Sequence, residues 1–284
     1  GSVFITSGYG AAPVFAFSGM NANKITLVED GLLFWSSSKN SSLVYTTFDG
    51  ENRREVYKPQ EGIVSLSVYG NVVSCVVGTS SAVVLDIKEE KVPFVFNGAG
   101  LQDAVLINSE RLAISKSSTR ISPHALLVVN TRTGETVPVP VEGDLVYALS
   151  RAQGNRGVLH AYRIINEPSA ATEVISIEID PSSISTTKTT VLARYAEEDM
   201  KATLTSNSGT ILITLGKTSL VELQIRNGRQ DSLERDYTLP SKPFFMYQYL
   251  VSLNQDGSIT WYNRNKKSLI CTAFISNDGF WVEK

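Results

Sequence analysis

A pair of apolar strands separated by a polar turn recurs seven times along this chain of 284 residues. Each turn carries Asp, Asn or Gly, and the second strand begins about ten residues after the first. The distances between successive starts are 40, 40, 43, 48, 46 and 39 residues. Such a regular spacing indicates an internal structural repeat. The copies begin at Val3, Leu43, Val83, Leu126, Val174, Leu220 and Ile259.

Two further strand candidates lie between one pair and the next, as in residues 63–77 and 200–215. Each repeat therefore has four strands, which we label a to d, and the recurring pair is c and d. Helical periodicity is nearly absent, so the chain is predicted to be all-β. A four-stranded sheet cannot bury both faces alone and must stack on its neighbours. This predicts one seven-bladed β-propeller over residues 1–284 with four-stranded antiparallel blades, or, alternatively, six blades plus terminal strands.

The two ends of the sequence provide complementary parts of a repeat. The amino-terminal pair has no preceding strands a and b, and the sequence GFWVEK at residues 279–284 falls where strand a of a following blade belongs. We therefore expect the last blade to be shared by the termini, with residues 3–5 and 13–17 in the same sheet as residues 280–283. Gly1 and Ser2 are interpreted as an expression scar.

The repeat length and strand pattern resemble those of WD40-like β-propellers over nearly the whole chain. The Gly-His and Trp-Asp dipeptides of regular WD40 repeats are missing, and strand c ends in FDG, LDI, VNT, EID, IRN or YNR. The segment ISNDGFWVEK at residues 275–284 is similar to the DGEWV-type strand that ends some bacterial WD40-like propellers. The resemblance implies the propeller architecture without the hydrogen-bond network of regular repeats.

Charge and hydropathy restrict the classes of partner. The net charge of -2 and the pI near 5.8 provide no basic field, so nucleic acid is not expected to bind. No apolar run reaches the length of a membrane span, so this segment is not expected to insert into a membrane. No targeting segment is present at the start of the sequence. The sequence does not determine the cellular compartment, because native flanking segments can have been removed. We expect a monomer, with Cys75 and Cys271 as unbonded, buried side chains.

No phosphate loop, dinucleotide fingerprint, nucleophile elbow or zinc-ligand spacing is present in the sequence. The chain has two histidines, His124 and His160, so three histidines cannot form a metal site. His160 lies within a strand and is predicted to be a packed side chain. We predict no catalytic residue, metal or cofactor.

Three places are candidates for binding. Lys116, Arg120 and His124 belong to the loop before the fourth recurring pair, and Tyr247 belongs to an aromatic strand where core packing is the alternative. An acidic cluster occupies the loop before the fifth blade, where a solvated turn is the alternative. Its residues are Glu197, Glu198 and Asp199.

The sequence predicts a non-enzymatic interaction or scaffold domain that binds a protein or peptide through the loops at one face of the propeller. The alternative is a propeller hydrolase or lyase that acts on a glycan or another polar substrate near the central channel. His124 would be the side chain to test in that mechanism.

Overall fold

All regular elements described in a computed structural model of the chain are β-strands. No helix in the described part of the chain is long and apolar enough to cross a membrane. The structure describes residues 2–5, 14–18, 22, 24–47, 50, 52–117, 125–141, 145–151, 157–165, 171–180, 187–196, 204–206, 210–215, 219–225, 230–233, 244–246, 249–253, 258–263, 266, 268–276 and 279–283.

The chain divides into two compact units. The first is Gly1–Val141 with Leu145–Tyr147 and Asp180–Thr186, and the second is Glu142–Asp144, Ala148–Ile179 and Thr187–Lys284. Each unit consists of small antiparallel sheets whose strands follow one another in chain order.

The first unit has one two-stranded sheet, β1–β2, and three four-stranded sheets, β3–β6, β7–β10 and β11–β14. Strands β1 to β7 are Ser2–Ile5, Val14–Ser18, Lys24–Val28, Gly31–Trp35, Leu43–Thr47, Arg54–Tyr57 and Ile63–Tyr69. Strands β8 to β14 are Val72–Val77, Ser81–Asp86, Lys91–Asn97, Leu101–Asn108, Arg111–Lys116, Leu126–Asn130 and Thr136–Val139.

Apart from Leu145–Tyr147 of β15, the second unit takes in two four-stranded sheets, β15–β18 and β19–β22, and one five-stranded sheet, β23–β27. Strands β15 to β21 are Leu145–Arg151, Val158–Ile165, Ala171–Ile179, Thr187–Ala196, Leu204–Ser206, Thr210–Leu215 and Ser219–Gln224. Strands β22 to β27 are Gln230–Leu233, Phe244–Met246, Tyr249–Leu253, Ile259–Asn263, Ser268–Ser276 and Gly279–Glu283.

Strand β8 shows why a continuous apolar run forms a blade strand. Successive side chains of a strand point to opposite faces, so both faces are apolar when both are covered. Val73, Cys75 and Val77 belong to the core shared with β3–β6, whereas Val76 belongs to the core shared with β11–β14. Ser74 is fully buried, and its hydroxyl donates to the Ala104 carbonyl of β11 over 2.8 Å. The sheets β3–β6, β7–β10 and β11–β14 therefore stack through largely apolar faces.

The seven predicted strand pairs are all paired as antiparallel neighbours, but the prediction of seven four-stranded blades is wrong. Within the described residues, five sheets have four strands. In the part of the chain that the structure describes, the amino-terminal pair β1–β2 gains no further strand, because β27 belongs to another sheet. The six-blade alternative does not match either, since β27 is the fifth strand of its sheet rather than a separate terminal strand.

The predicted exchange of strands between the termini is also wrong. β27 pairs with β26 from Thr272↔Glu283 to Ser276↔Gly279, and β1 and β2 pair with each other in another sheet. In the sequence, two residues separate Ser276 from Gly279, a spacing typical of a hairpin. A hairpin closes a very short loop, so pairing with the preceding strand costs less chain entropy than pairing with a segment more than 250 residues away.

Candidate binding cleft

A polar cleft of about 260 Å³ opens in the first unit. Its walls come from three turns: β3–β4, β5–β6 and β9–β10. These turns join strand a to b or strand c to d, so they lie at the same end of their sheets. The lining residues are Asp30, Tyr45, Thr47, Asn52, Arg54, Ile87 and Lys88.

Tyr45 forms one wall and is fixed at its hydroxyl end. The hydroxyl donates to Oδ1 of Asp30 over 3.0 Å. Gly31 gives the ring its space, because a Cβ at this position would lie 2.8 Å from Cε2 of Tyr45 and 2.2 Å from the Thr46 carbonyl oxygen. A side chain at residue 31 would therefore displace this wall.

Arg54 crosses from its own sheet to the next one. Its Nη2 donates to the Ile87 carbonyl over 2.7 Å, and its Nε lies 3.0 Å from Oε1 of Glu90. The guanidinium carbon sits 4.8 Å from the centroid of the Tyr45 ring, within the range of a cation–π contact. These three contacts fix the orientation of a side chain that is 33% exposed.

The β9–β10 turn is shaped by Asp86. Its Oδ1 accepts hydrogen bonds from the backbone N–H groups of Lys88 and Glu89, at 2.9 and 3.0 Å. Glu90 adopts a positive φ of 53°, and Ile87 N–H donates to the Asn71 carbonyl over 3.0 Å. An Asx turn of this type satisfies the backbone locally and leaves the Lys88 side chain exposed at the rim.

The β5–β6 turn is organised in the same way by Thr47. Its hydroxyl oxygen accepts from the Asn52 backbone N–H over 3.2 Å, and its carbonyl accepts from Gly50 N–H over 2.9 Å. Asn52 is exposed and lines the cleft. The cleft thus offers a guanidinium, an ammonium, a carboxylate and an amide within one small volume.

Of the residues predicted from the sequence to bind a partner, Lys116 alone lies in the described part of the chain. It ends β12, is partly buried, and its backbone N–H donates to the Ala125 carbonyl over 2.9 Å. This position is at the strand b to c connection, so it belongs to the opposite end of its sheet from the turns that line the cleft. Arg120, His124, Glu197, Glu198, Asp199 and Tyr247 lie outside the described residues, and their roles stay predictions.

The sequence analysis did not identify the cleft residues. The one available signal was the pair Arg53 and Arg54 directly after the polar turn of the second recurring pair. A basic residue beside a turn is common, and the acceptor that fixes Arg54 is a backbone carbonyl, which has no residue-type signature.

The largest pKa shifts among the described residues occur inside strands. Burial lowers the pKa of His160 to about 4, and the side chain is 1% exposed, which confirms its predicted packing. Its Nδ1 has no hydrogen-bond partner in the described structure.

Burial also raises the pKa of Cys75 to about 12. Cys75 and Cys271 are both free thiols, and Cys75 is buried as predicted, but the prediction that Cys271 is buried is wrong because that side chain is partly exposed. No group of three or more His, Cys, Asp or Glu residues in the described ranges could hold a metal ion.

Comparison with known proteins gives relatives in sequence and in structure. A family model described as an uncharacterised protein matches residues 205–276. The β-propeller domain of Swd1 from Myceliophteria thermophila has a TM-score of 0.64 at 10% identity, over 93% of this chain and 88% of that one. An oligogalacturonate lyase from Vibrio parahaemolyticus has a TM-score of 0.63 at 9% identity, over 85% and 77% of the two chains.

These structural likenesses establish the fold, and the chain is a WD40-like β-propeller with four-stranded antiparallel blades. An uncharacterized protein of Treponema pallidum (strain Nichols) is 30% identical over 86 residues, which make up 30% of this chain and 94% of that protein. The chain belongs to the same family as this Treponema pallidum protein.

Proposed function

We propose that the chain is a non-enzymatic interaction module that binds a protein or peptide partner. The observation that supports this is the cleft of the first unit, whose walls are the turns of two stacked blades. Turns on a rigid sheet scaffold are the common location of recognition residues. The sequence did not determine which end of the sheets binds, and the cleft lies at the a–b and c–d turns.

The composition of the cleft suits protein recognition. Tyr and Arg are the residue types that most often dominate binding energy at interfaces, and here they stack on each other. Arg54 is held by the Ile87 carbonyl and by Glu90, so it loses little conformational freedom when a partner binds. A fixed Arg and a fixed Tyr at a cleft are the physical basis of the proposal.

Photo-crosslinking tests the proposal at single positions. A photoreactive amino acid replaces Asn52 in the cleft and, as the matched control, Glu135 in the exposed turn between β13 and β14. In extracts of the organism that encodes the chain, we expect one defined protein adduct from position 52 and none from position 135. Equal labelling from both positions, or no adduct from position 52, would contradict a partner at the cleft.

A second candidate function is a hydrolase or lyase that acts on a glycan near the central channel. Its support is the fold shared with an oligogalacturonate lyase. The assay offers oligogalacturonates, aryl glycosides and aryl esters to the purified chain and to His124→Ala. If the chain turns over one of these substrates and His124→Ala abolishes the turnover, the chain is an enzyme rather than a binding module. If turnover is unchanged in the variant, His124 has no part in the mechanism.

A further inference from the structure

We infer that the cleft binds an acidic segment of a protein partner, with one carboxylate seated between Arg54 and Lys88. The inference rests on the proposed function and specifies its partner. Three features of the cleft carry it: Nη1 of Arg54 and the ammonium of Lys88, for which the described residues supply no acceptor, and the position of Asp30.

The guanidinium of Arg54 is held in place and still has N–H donors without an acceptor among the described residues. A guanidinium has five N–H donors in a rigid plane. Nη2 is engaged by the Ile87 carbonyl, and Nε faces Glu90. The described residues supply no acceptor for Nη1. The stacked Tyr45 ring holds the guanidinium plane, so Nη1 can present its hydrogens to a ligand without reorganisation.

Lys88 lines the cleft, and its ammonium forms no ion pair with a described residue. The turn fixes its backbone through Asp86, but its Nζ has no acceptor in the described structure. Two other exposed lysines differ in this respect, because Lys39 pairs with Glu61 and Lys91 pairs with Glu89. As far as the described residues are concerned, Lys88 is therefore available to pair with an anion from outside the chain.

Asp30 determines which anion fits. Its carboxylate lines the same cleft, and Glu90 already compensates Arg54, so the four charges Asp30, Glu90, Arg54 and Lys88 balance. A dianionic phosphate would be repelled by Asp30. A single carboxylate is tolerated on the Lys88 side, and Asp30 can accept a backbone N–H from the same ligand. An acidic side chain on a peptide backbone offers both groups.

The size of the cleft agrees with a short segment. A volume of about 260 Å³ is smaller than the pockets that enclose drug-sized ligands, and it has room for one or two residues. Asn52 adds an amide at the rim that can pair with the backbone of such a segment.

The test uses three fluorescein-labelled pentapeptides, Gly-Ser-X-Ser-Gly with blocked ends, in which X is Glu, Gln or Lys. Anisotropy gives the affinity for the full chain, and amide and guanidinium NMR resonances locate the site. We expect the Glu peptide to bind about tenfold more tightly than the Gln peptide and to shift the resonances of Arg54 and Asn52. Equal affinity for Glu and Gln peptides would overturn the inference.

Charge reversal separates the cleft from general electrostatics. In Lys88→Glu, an exposed turn variant that leaves the core untouched, we expect the preference to reverse toward the Lys peptide by about tenfold. Arg132→Glu, in the exposed turn between β13 and β14, is the matched control and should keep the Glu preference. A reversal in both variants, or in neither, would overturn the site. Inorganic phosphate that shifts the same resonances more than the Glu peptide would overturn the choice of a carboxylate.

These outcomes differ from failure of the proposed function. A crosslinked partner at position 52 together with equal Glu and Gln affinities would keep the interaction module and remove the acidic specificity. Binding of the Glu peptide without any crosslinked partner at position 52 would keep the carboxylate site and contradict a protein-binding role.

Discussion

Arg163 and Glu173 form a buried ion pair across two adjacent strands. They are register partners in β16 and β17, and both Nε and Nη2 of Arg163 lie 2.8 Å from Oε2 of Glu173. The two side chains are 11% and 8% exposed. Arg194, the register partner of Glu173 in β18, has its Nε 4.0 Å from Oε1. The carboxylate is thus placed between two guanidinium groups.

Removing the charge of Glu173 is expected to destabilise the chain strongly. Glu173→Gln removes the negative charge that lies 2.8 Å from the buried Arg163 guanidinium, and loss of one charge of a buried pair costs about 3 kcal/mol. Urea unfolding followed by circular dichroism measures the loss. Glu61→Gln is the control, because the Lys39–Glu61 pair is exposed and its loss should change stability by less than about 1 kcal/mol. Equal effects of the two substitutions would show that the buried pair has no special importance.

Arg54 is expected to contribute to stability as well as to the cleft. Arg54→Ala removes a charged hydrogen bond to the Ile87 carbonyl and the contact with the Tyr45 ring, at a cost of about 2 kcal/mol. Arg132→Ala is the matched control, since Arg132 pairs with Glu110 while 75% exposed and should matter by less than about 0.5 kcal/mol. Chemical unfolding of the two variants decides this, and a neutral Arg54→Ala would contradict the link between the two sheets.

Local pattern predicted the strands well because a strand buried on both faces is apolar at most positions. In β8, five of the six residues are apolar and the sixth, Ser74, donates to a backbone carbonyl, while β9 is apolar from Ala82 to Leu85. Pairing within each recurring pair was also predictable, since a short turn leaves an antiparallel neighbour as the nearest partner. The number of complete blades depended instead on which partner the terminal strands take. The residues of β27 do not indicate whether this strand pairs with β26 or with β1.

The candidate site was less predictable for a different reason. Arg54 and Ile87 are 33 positions apart, and their contact uses a backbone carbonyl. Tyr45 reads as a core residue in the sequence, and its role in the cleft follows from the absence of a side chain at Gly31. Side chains from three turns meet only after the sheets have stacked. The predicted residue Lys116 lies at the other type of connection, and no sequence feature ranked one end of the sheets above the other.

His160 is expected to make stability depend on pH. Burial lowers its pKa from 6.5 to about 4, so the unfolded chain binds a proton at a pH where the folded chain does not. Stability is therefore highest above pH 6.5, falls as the pH decreases toward 4, and levels off below that value. The contribution lost is about 3 kcal/mol.

Urea unfolding at several pH values measures this dependence. In His160→Gln, we expect the part of the decrease between pH 6.5 and 4 that comes from this residue to be absent. His124→Ala is the control, because the chain has two histidines and the second should leave the decrease in place. An unchanged pH profile in His160→Gln would show that another group is responsible.

The two free thiols are expected to react at very different rates. Cys75 is fully buried in the core between β3–β6 and β7–β10, and burial raises its pKa to about 12, so little thiolate forms near neutral pH. Cys271 lies in β26 and is partly exposed, although burial raises its pKa too. Iodoacetamide at pH 8 should therefore modify Cys271 first, and mass spectrometry of the two peptides gives each rate.

The rate at Cys75 also reports on separation of the two sheets. Arg54 links these sheets through the Ile87 carbonyl, so Arg54→Ala should accelerate the modification of Cys75 by more than about tenfold. Arg132→Ala should leave it unchanged, and full unfolding in urea should make both thiols react alike. Modification of Cys75 before Cys271 in the native chain would contradict its burial, and an unaltered Cys75 rate in Arg54→Ala would show that the sheets open independently of this link.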